Sequence, residues 1–173
     1  RWAKSVGGVG ECIVQEATDN TGMVTLYVID ANGEPANEEI QTAVYNYIMH
    51  PDNPATRLAP VNALLTVTAP TVLYIGISAT VELLEGYTLD GVKTALLAAL
   101  KAYMATASEE NEIKYSKIGS LLSATDGVND YNNLKIGVLS DGFIAWDVVN
   151  IPLTHTQLAV VANDLQLTQG TVE

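Results

Sequence analysis

The sequence predicts an α+β fold built from two small α/β sandwich units. The predicted element order is β-β-α-β, followed by β-α-α-β with extra C-terminal strands. Residues 71–83 alternate apolar and polar side chains with the period of a half-buried strand. Residues 89–103 then place apolar side chains at helical spacing, which indicates a long amphipathic helix. At 173 residues, the chain is long enough for two such units.

The first unit is predicted as a hairpin, a helix and one further strand. Strands over 9–18 and 23–30 are joined by the turn formers of 19–22, where Asp19 and Asn20 lead. Asn37 is placed to cap a helix, and 61–69 alternates as a strand. The predicted buried side of the helix consists of Ile40, Ala43, Val44, Tyr47 and Ile48.

Pro70 marks the boundary that we predict between a first domain over 1–70 and a second over 71–173. The second domain begins with the long strand and helix, and Thr88 is placed to cap that helix. Further predicted elements are a helix over 115–124, extended stretches over 128–138 and 143–149, and short strands over 158–161 and 165–167, broken by Pro152 and by Asn163-Asp164.

Composition narrows the classes of partner. Eight Lys and Arg against twenty Asp and Glu give a net charge of -12. Such a surface repels phosphate backbones and anionic lipid, so nucleic acid and membrane partners are disfavoured. The charge serves either solubility or matching with a basic partner. The longest apolar run, around 95–100, is far too short to span a membrane.

Few residues are candidates for chemistry. Cys12 is the single cysteine and lies in a strand pattern, which favours a buried, inert thiol. His50 stands before Pro51 at a predicted helix end, where a histidine interacts with the helix dipole. His155 lies in a threonine-rich loop far from it, so the two histidines indicate no metal site.

Three short motifs resemble sites but favour ordinary structure. The glycines of 7–10 precede a strand, whereas a phosphate loop needs a strand before the glycines and a helix after them. The oxygen-rich segment 30–34 has Gln41 where a calcium loop needs glutamate, which favours a turn. The acidic residues Glu109, Glu110 and Glu112 are typical of a solvated loop. The sequence therefore predicts no catalytic, cofactor or metal site.

Four stretches resemble the baseplate J-like proteins of contractile phage tails and related injection machines. They run over 2–11 (WAKSVGGVGE), 57–71 (RLAPVNALLTVTAPT), 86–96 (GYTLDGVKTAL) and 151–160 (IPLTHTQLAV). They occur in the family's order and at about its spacing, and they are distributed over nearly the whole chain. The chain resembles the family's middle and C-terminal parts. Its opening residues, Arg1 to Ser5, read as the end of an earlier helix, so we expect a piece of a longer protein.

The resemblance implies a structural, non-enzymatic wedge protein that acts in tail assembly and in the relay of sheath contraction. It implies that the partners are other baseplate wedge and hub proteins and that each baseplate contains several copies of this protein. It also implies that the protein is in the bacterial cytoplasm before assembly and in the virion tail baseplate afterwards. It implies no cofactor, nucleic acid, membrane or small-molecule substrate. The alternative is a small-molecule-binding α/β domain or a non-catalytic enzyme fragment, which would have a concave pocket with converging polar groups.

The predicted partner-contact residues are Tyr74, Ser78 and Thr80. They alternate with the apolar residues of the long strand, so they lie on the side of the sheet that faces away from the helix. The apolar side of that strand is needed for the core of the second unit. Contacts with other proteins are therefore expected on the outer side of the sheet and on the loops.

Overall fold

The computed structural model describes residues 1–17, 21–162 and 165–171. The predicted turn at Asp19 and Asn20 and the predicted break at Asn163 and Asp164 lie outside the described residues, as does the side chain of Glu109. The chain folds as two compact units, Arg1–Thr71 and Val72–Glu173. Within the described ranges, no helix is both long enough and apolar enough to span a membrane. The observed α+β fold confirms the predicted fold class, and the first unit has the predicted element order. In the second unit, a two-residue strand at Glu112–Ile113 separates the two helices that the sequence predicts as consecutive.

The first unit is a three-stranded sheet packed against one helix. Its central strand pairs antiparallel with the first strand and parallel with the third. Asn37 accepts a hydrogen bond from the Ile40 amide at 3.0 Å, so the predicted helix cap is confirmed. The elements are β1 (Val9–Glu16), β2 (Met23–Asp30), α1 (Glu38–Met49) and β3 (Leu64–Thr68), with short 3-10 turns at Ala3–Ser5 and Pro54–Thr56.

Two details of the first unit differ from the prediction. Val44 and Ile48 are buried, but Ala43 and Tyr47 are exposed, because a sheet of only three strands covers a narrow stripe of α1. Strand β3 begins at Leu64 rather than at residue 61. The reason is Arg57, whose guanidinium donates hydrogen bonds to backbone carbonyls between residues 59 and 63 and holds that segment as a loop.

The second unit is built around its first strand, which occupies the centre of a five-stranded sheet in the order β10-β4-β6-β7, with β9 also paired to β4. β4 pairs antiparallel with β6 and parallel with β10. The elements are β4 (Thr71–Leu83), α2 (Leu89–Glu110), β5 (Glu112–Ile113), α3 (Tyr115–Ser123), β6 (Val128–Ser140), β7 (Phe143–Asp147), β8 (Ile151–Pro152), β9 (Gln157–Val161) and β10 (Gln166–Gln169).

The core of the second unit follows the two predicted periodicities. The alternating residues Ile75, Ile77 and Val81 of β4 have no exposed surface, and neither do Leu96 and Leu100 of α2. Each such side chain contributes about 1.5–3 kcal/mol through burial of apolar surface. The Thr88 hydroxyl accepts a hydrogen bond from the Gly91 amide at 3.3 Å, as expected of a helix cap.

Polar contacts fasten the remaining elements to this core. Ser108 is buried on α2, and its hydroxyl accepts a hydrogen bond from the Ala159 amide at 3.0 Å, which joins α2 to β9. The sequence predicts a polar loop after α2, but the structure shows that part of this segment is a strand. Glu112 and Ile113 pair with Pro152 and Ile151 as a two-stranded ladder. Ile113 is fully buried, because this ladder turns its side chain inward.

Candidate protein-contact surface

The outer face of β4 carries the predicted contact residues. Tyr74 has 46% of its surface exposed, whereas Ser78 and Thr80 are half-buried. All three side chains lie on the side of the sheet opposite to the buried Ile75, Ile77 and Val81, since neighbouring strand residues point to opposite faces. The structure therefore places Tyr74, Ser78 and Thr80 on one face.

The part of this face around Ser78 and Thr80 is polar. Ser78 lies beside Lys135 of β6 and Gln166 of β10 in the strand register. The Thr168 hydroxyl donates a hydrogen bond to the Thr80 hydroxyl, with the two oxygens 3.4 Å apart. Hydroxyl, amide and ammonium groups therefore line this part, which suits hydrogen bonds with another protein rather than apolar packing.

The part of the face around Gly76 is apolar, which the sequence did not indicate. Ile144 and Trp146 of β7 reach across the sheet and lie over Gly76 of β4. A Cβ atom at Gly76 would lie 2.6 Å from Ile144 Cδ1 and 3.2 Å from Trp146 Cη2. Gly137 of β6 is close as well, since a Cβ there would lie 2.8 Å from Ile144 Cγ2. The glycines leave the room that these two large side chains occupy.

The end of this sheet exposes further apolar residues. Phe143, at the start of β7, has 81% of its surface exposed, and Val148 and Val149, just after β7, have 57% and 54% exposed. The sequence showed an apolar extended stretch over 143–149 but gave no reason to assign it a site. The signal was present in the two-residue turn at Asp141-Gly142, which predicts a hairpin with β7 as its second strand.

The residues considered for chemistry take ordinary structural places. His50 ends α1 with φ 44, and its amide donates to the Asn46 carbonyl at 2.9 Å. His155 is exposed. Cys12 is half-buried against the core of the first unit, where burial raises the pKa of its thiol and disfavours the reactive thiolate. Within the described ranges, no group of three or more His, Cys, Asp or Glu is placed to hold a metal.

Two of the three ambiguous motifs are turns, and the third is not the predicted loop, since Glu110 is the last residue of α2 and Glu112 lies in β5. The Asp30 carboxylate accepts hydrogen bonds from the Asn32 amide at 2.8 Å and from the Glu34 amide at 2.9 Å. Its oxygens therefore organise a turn, as predicted. Gly8, with φ 86, lies in the turn between the first 3-10 turn and β1. Glu110 is exposed and pairs with Lys114, with 2.7 Å between the charged atoms.

One concave surface in the second unit bears on the small-molecule alternative. It is an open groove of about 540 Å³ between α2 and α3. Its lining includes Ala102, Tyr103, Thr106 and Glu110 of α2, Lys117 and Leu121 of α3, and Lys114 just before α3. The Lys114 ammonium donates a hydrogen bond to the Glu110 carboxylate, and this contact raises the pKa of Lys114 and keeps the amine charged. A charged lysine in an exposed ion pair is suited neither to nucleophilic attack nor to base catalysis.

Comparison with known proteins places both units in one family. The Baseplate J-like central domain matches residues 1–69, and the Baseplate J-like protein C-terminal domain matches residues 75–163. Two curated relatives come from Bacillus subtilis (strain 168). The chain is 30% identical to Phage-like element PBSX protein XkdT over 85% of its own length and 42% of that protein. It is also 30% identical to Uncharacterized protein YqbT over 88% of its own length and 44% of that protein.

The chain thus spans less than half the length of these two relatives. The cryo-EM structure of the anti-feeding prophage (AFP) baseplate, 6-fold symmetrised, contains a chain of the same fold. That likeness has a TM-score of 0.57 at 13% identity and covers 85% of this chain and 31% of that one. Both family models match in order and together cover most of the two units, so the chain belongs to the baseplate J-like family.

Proposed function

We propose that this chain is a structural part of a contractile phage tail baseplate, in which it supplies the middle and C-terminal domains of a wedge protein. The observation that carries the proposal is the ordered match of both baseplate J-like models to the two compact units. The protein acts in tail assembly and in relaying sheath contraction, without catalysis. The groups considered for chemistry serve as caps, turns and exposed ion pairs, which supports this view.

The proposed partners are other wedge and hub proteins, with several copies of this protein in each baseplate. The protein is made in the bacterial cytoplasm and is then built into the virion tail. The boundary between its two domains is proposed at Pro70-Thr71, close to where the compact units change over. Complementation tests the function directly. A bacterium that lacks the gene for this protein should form tails without complete baseplates. Supplying the intact gene should restore complete baseplates.

The contact face around Tyr74, Ser78 and Thr80 gives a sharper test. Tyr74→Lys combined with Ser78→Lys should reduce complete baseplates about tenfold, which corresponds to an interface weakened by ~1.4 kcal/mol. The outer side chains of β4 are only partly buried, so the isolated chain should keep its fold. Particles counted by electron microscopy give the first quantity, and circular dichroism of the purified chain gives the second.

The matched control is Ala98→Lys, which adds a charge to an exposed position of α2 in the same unit. It should leave both baseplate number and fold unchanged. Normal particle numbers with the Tyr74 and Ser78 variant would show that this face meets no partner. Loss of the folded spectrum would show instead that the face belongs to the core.

A further inference from the structure

We infer that the free edge of β7 receives an extended, basic segment of a neighbouring baseplate protein as an additional strand. This inference rests on the proposed function, because it assumes that the chain is built into a larger assembly. The segment would pair with β7 through backbone hydrogen bonds and would carry Lys or Arg near both of its ends. Strand addition of this kind draws affinity from the main chain and specificity from side-chain contacts and charge.

The hairpin geometry shows which backbone groups of β7 are available. Asp141 has φ 51 and Gly142 has φ 80, which are the left-handed values of a two-residue type I′ turn. In such a hairpin the two residues that flank the turn form a hydrogen-bonded pair. Along the ladder from there, non-hydrogen-bonded and hydrogen-bonded pairs alternate. Ser140 opposite Phe143 is the first pair, so Phe143 points its amide and carbonyl at β6.

The next residues of β7 point their backbone groups the other way. Ile144 lies opposite Leu139, and Trp146 lies opposite Gly137, both at non-hydrogen-bonded positions of the ladder. Their amides and carbonyls therefore face away from β6. β7 is the last strand in the order β10-β4-β6-β7 of the described sheet, so these groups face an open edge. Two donors and two acceptors are thus presented to an incoming strand.

The sequence of β7 lacks three features that commonly protect an edge strand from pairing: proline, lysine and a bulge. Exposed edges are commonly blocked by proline, lysine, a bulge or a very short strand. Residues 143–147 are Phe-Ile-Ala-Trp-Asp, and they pair with β6 without a shift in register. At the opposite side of the sheet, β10 is shorter and exposes the polar side chains of Gln166, Thr168 and Gln169.

Side chains on both faces of β7 would hold an added strand. Phe143, with 81% of its surface exposed, lies on one face, and Ile144 and Trp146 lie on the other. The latter two are already ordered by contact with Gly76, so they lose little conformational freedom on binding. Val148 and Val149 continue the apolar surface beyond the strand. Extended apolar surface of this kind marks a protein contact.

Charge decides the nature of the occupant. Asp141 and Asp147 lie at the two ends of β7, which is about 17 Å long by strand geometry. A second copy pairing antiparallel would bring Asp141 of one copy near Asp147 of the other, and each copy has a net charge of -12. Like charges across an interface oppose association. A segment with basic ends instead finds a carboxylate at each end of β7.

The test uses two synthetic peptides on the complete 173-residue chain. The first is Lys-Lys-Val-Thr-Val-Thr-Val-Lys-Lys, and in the second every Lys is replaced by Glu. Amide hydrogen exchange measured by NMR should slow at Ile144 and Trp146 by about fivefold or more when the lysine peptide is added, as expected for a new backbone hydrogen bond worth ~1 kcal/mol. The Ala145 amide should not change, since it already faces β6.

The glutamate peptide should leave exchange unchanged, and added salt should weaken the effect of the lysine peptide. Phe143→Lys with Val148→Lys should abolish the protection. The control Val61→Lys, at a position 83% exposed in the first unit, should preserve it. Equal protection by both peptides would overturn the basic occupant. Protection that rises with protein concentration alone, together with a dimer in sedimentation, would make the occupant a second copy and overturn the inference.

The outcome is separable from the proposed function. Unprotected Ile144 and Trp146 amides at saturating lysine peptide, in a chain that still enters baseplates, would refute strand addition and leave the structural role standing. Protected amides in a chain that never enters baseplates would refute the structural role instead.

Discussion

Replacing Gly127 by alanine is expected to lower the free energy of unfolding of the second unit by about 3 kcal/mol, through strain and overpacking together. Gly127 has φ 93, a backbone angle that residues other than glycine rarely adopt. A Cβ atom there would also lie 2.6 Å from Tyr87 Cγ and 2.9 Å from Tyr87 Cβ. Those atoms belong to the base of the tyrosine side chain, which cannot move aside without shifting the turn at Gly86.

Denaturant unfolding followed by Trp146 fluorescence measures this effect. The chain has two tryptophans, and Trp2→Phe leaves Trp146 as the reporter of the second unit. Gly86→Ala is the matched control, because Gly86 has φ 86 but open space around its Cα, so only the strain of about 1 kcal/mol remains. Adding Tyr87→Ala to Gly127→Ala should remove the extra loss of stability that Gly127→Ala shows over Gly86→Ala, because the tyrosine ring is then absent. Equal losses at both glycines would mean that the Tyr87 contact adds nothing.

Replacing Arg57 by alanine is expected to destabilise the first unit by about 3 kcal/mol, since hydrogen bonds from a charged donor contribute about 1.5–3 kcal/mol each and part of this loop is solvated. The guanidinium reaches four backbone carbonyls. Nε donates to Ala59 at 3.2 Å, Nη1 to Val61 at 3.1 Å, and Nη2 to Pro60 at 2.7 Å and to Ala63 at 3.1 Å. These contacts hold the approach to β3.

Arg57→Lys separates charge from shape. A lysine keeps the positive charge but lacks the planar fork, so it cannot reach carbonyls on several sides at once. It should recover less than half of the stability lost in Arg57→Ala. Unfolding is followed by Trp2 fluorescence in a Trp146→Phe background, because Trp2 lies in the first unit. Full recovery by lysine would show that charge alone stabilises the loop.

Elements that depend on local patterns could be predicted from the sequence. The alternation of 71–83 predicts β4 with its correct bounds, and the buried side matches at Ile75, Ile77 and Val81. Asn37 and Thr88 begin their helices as expected, since a capping side chain acts only on the amides of the next turn. Local chemistry determines these features, so one stretch of sequence contains the information.

Features that depend on distant residues could not be predicted. Gly76 and Gly137 gave no signal alone, because their meaning lies in Ile144 and Trp146, which reach them only after the hairpin folds. The bounds of β3 failed for a similar reason, since Arg57 holds residues 61–63 out of the strand through side-chain hydrogen bonds. No periodicity in the sequence records such contacts.

The same distinction applies to the contact surface. Alternation alone puts Tyr74, Ser78 and Thr80 on the outer face, and the structure places them there. The apolar half of that face depends on β7 lying next to β6, which is a property of the assembled sheet. Whether these residues meet a partner stays a prediction.

The pairing of β10 with β4 has a consequence for how the protein is made. Thr168 and Thr80, which face each other across this pair, are 88 positions apart in the chain. In the first unit, the parallel pair joins Met23 to Leu64, a much shorter interval. A strand can pair only after it has been synthesised, so the first unit can complete its sheet while the second is still being translated. The long strand β4 must wait for β10, and its edge stays open during that interval, when unpaired strands are most prone to wrong associations.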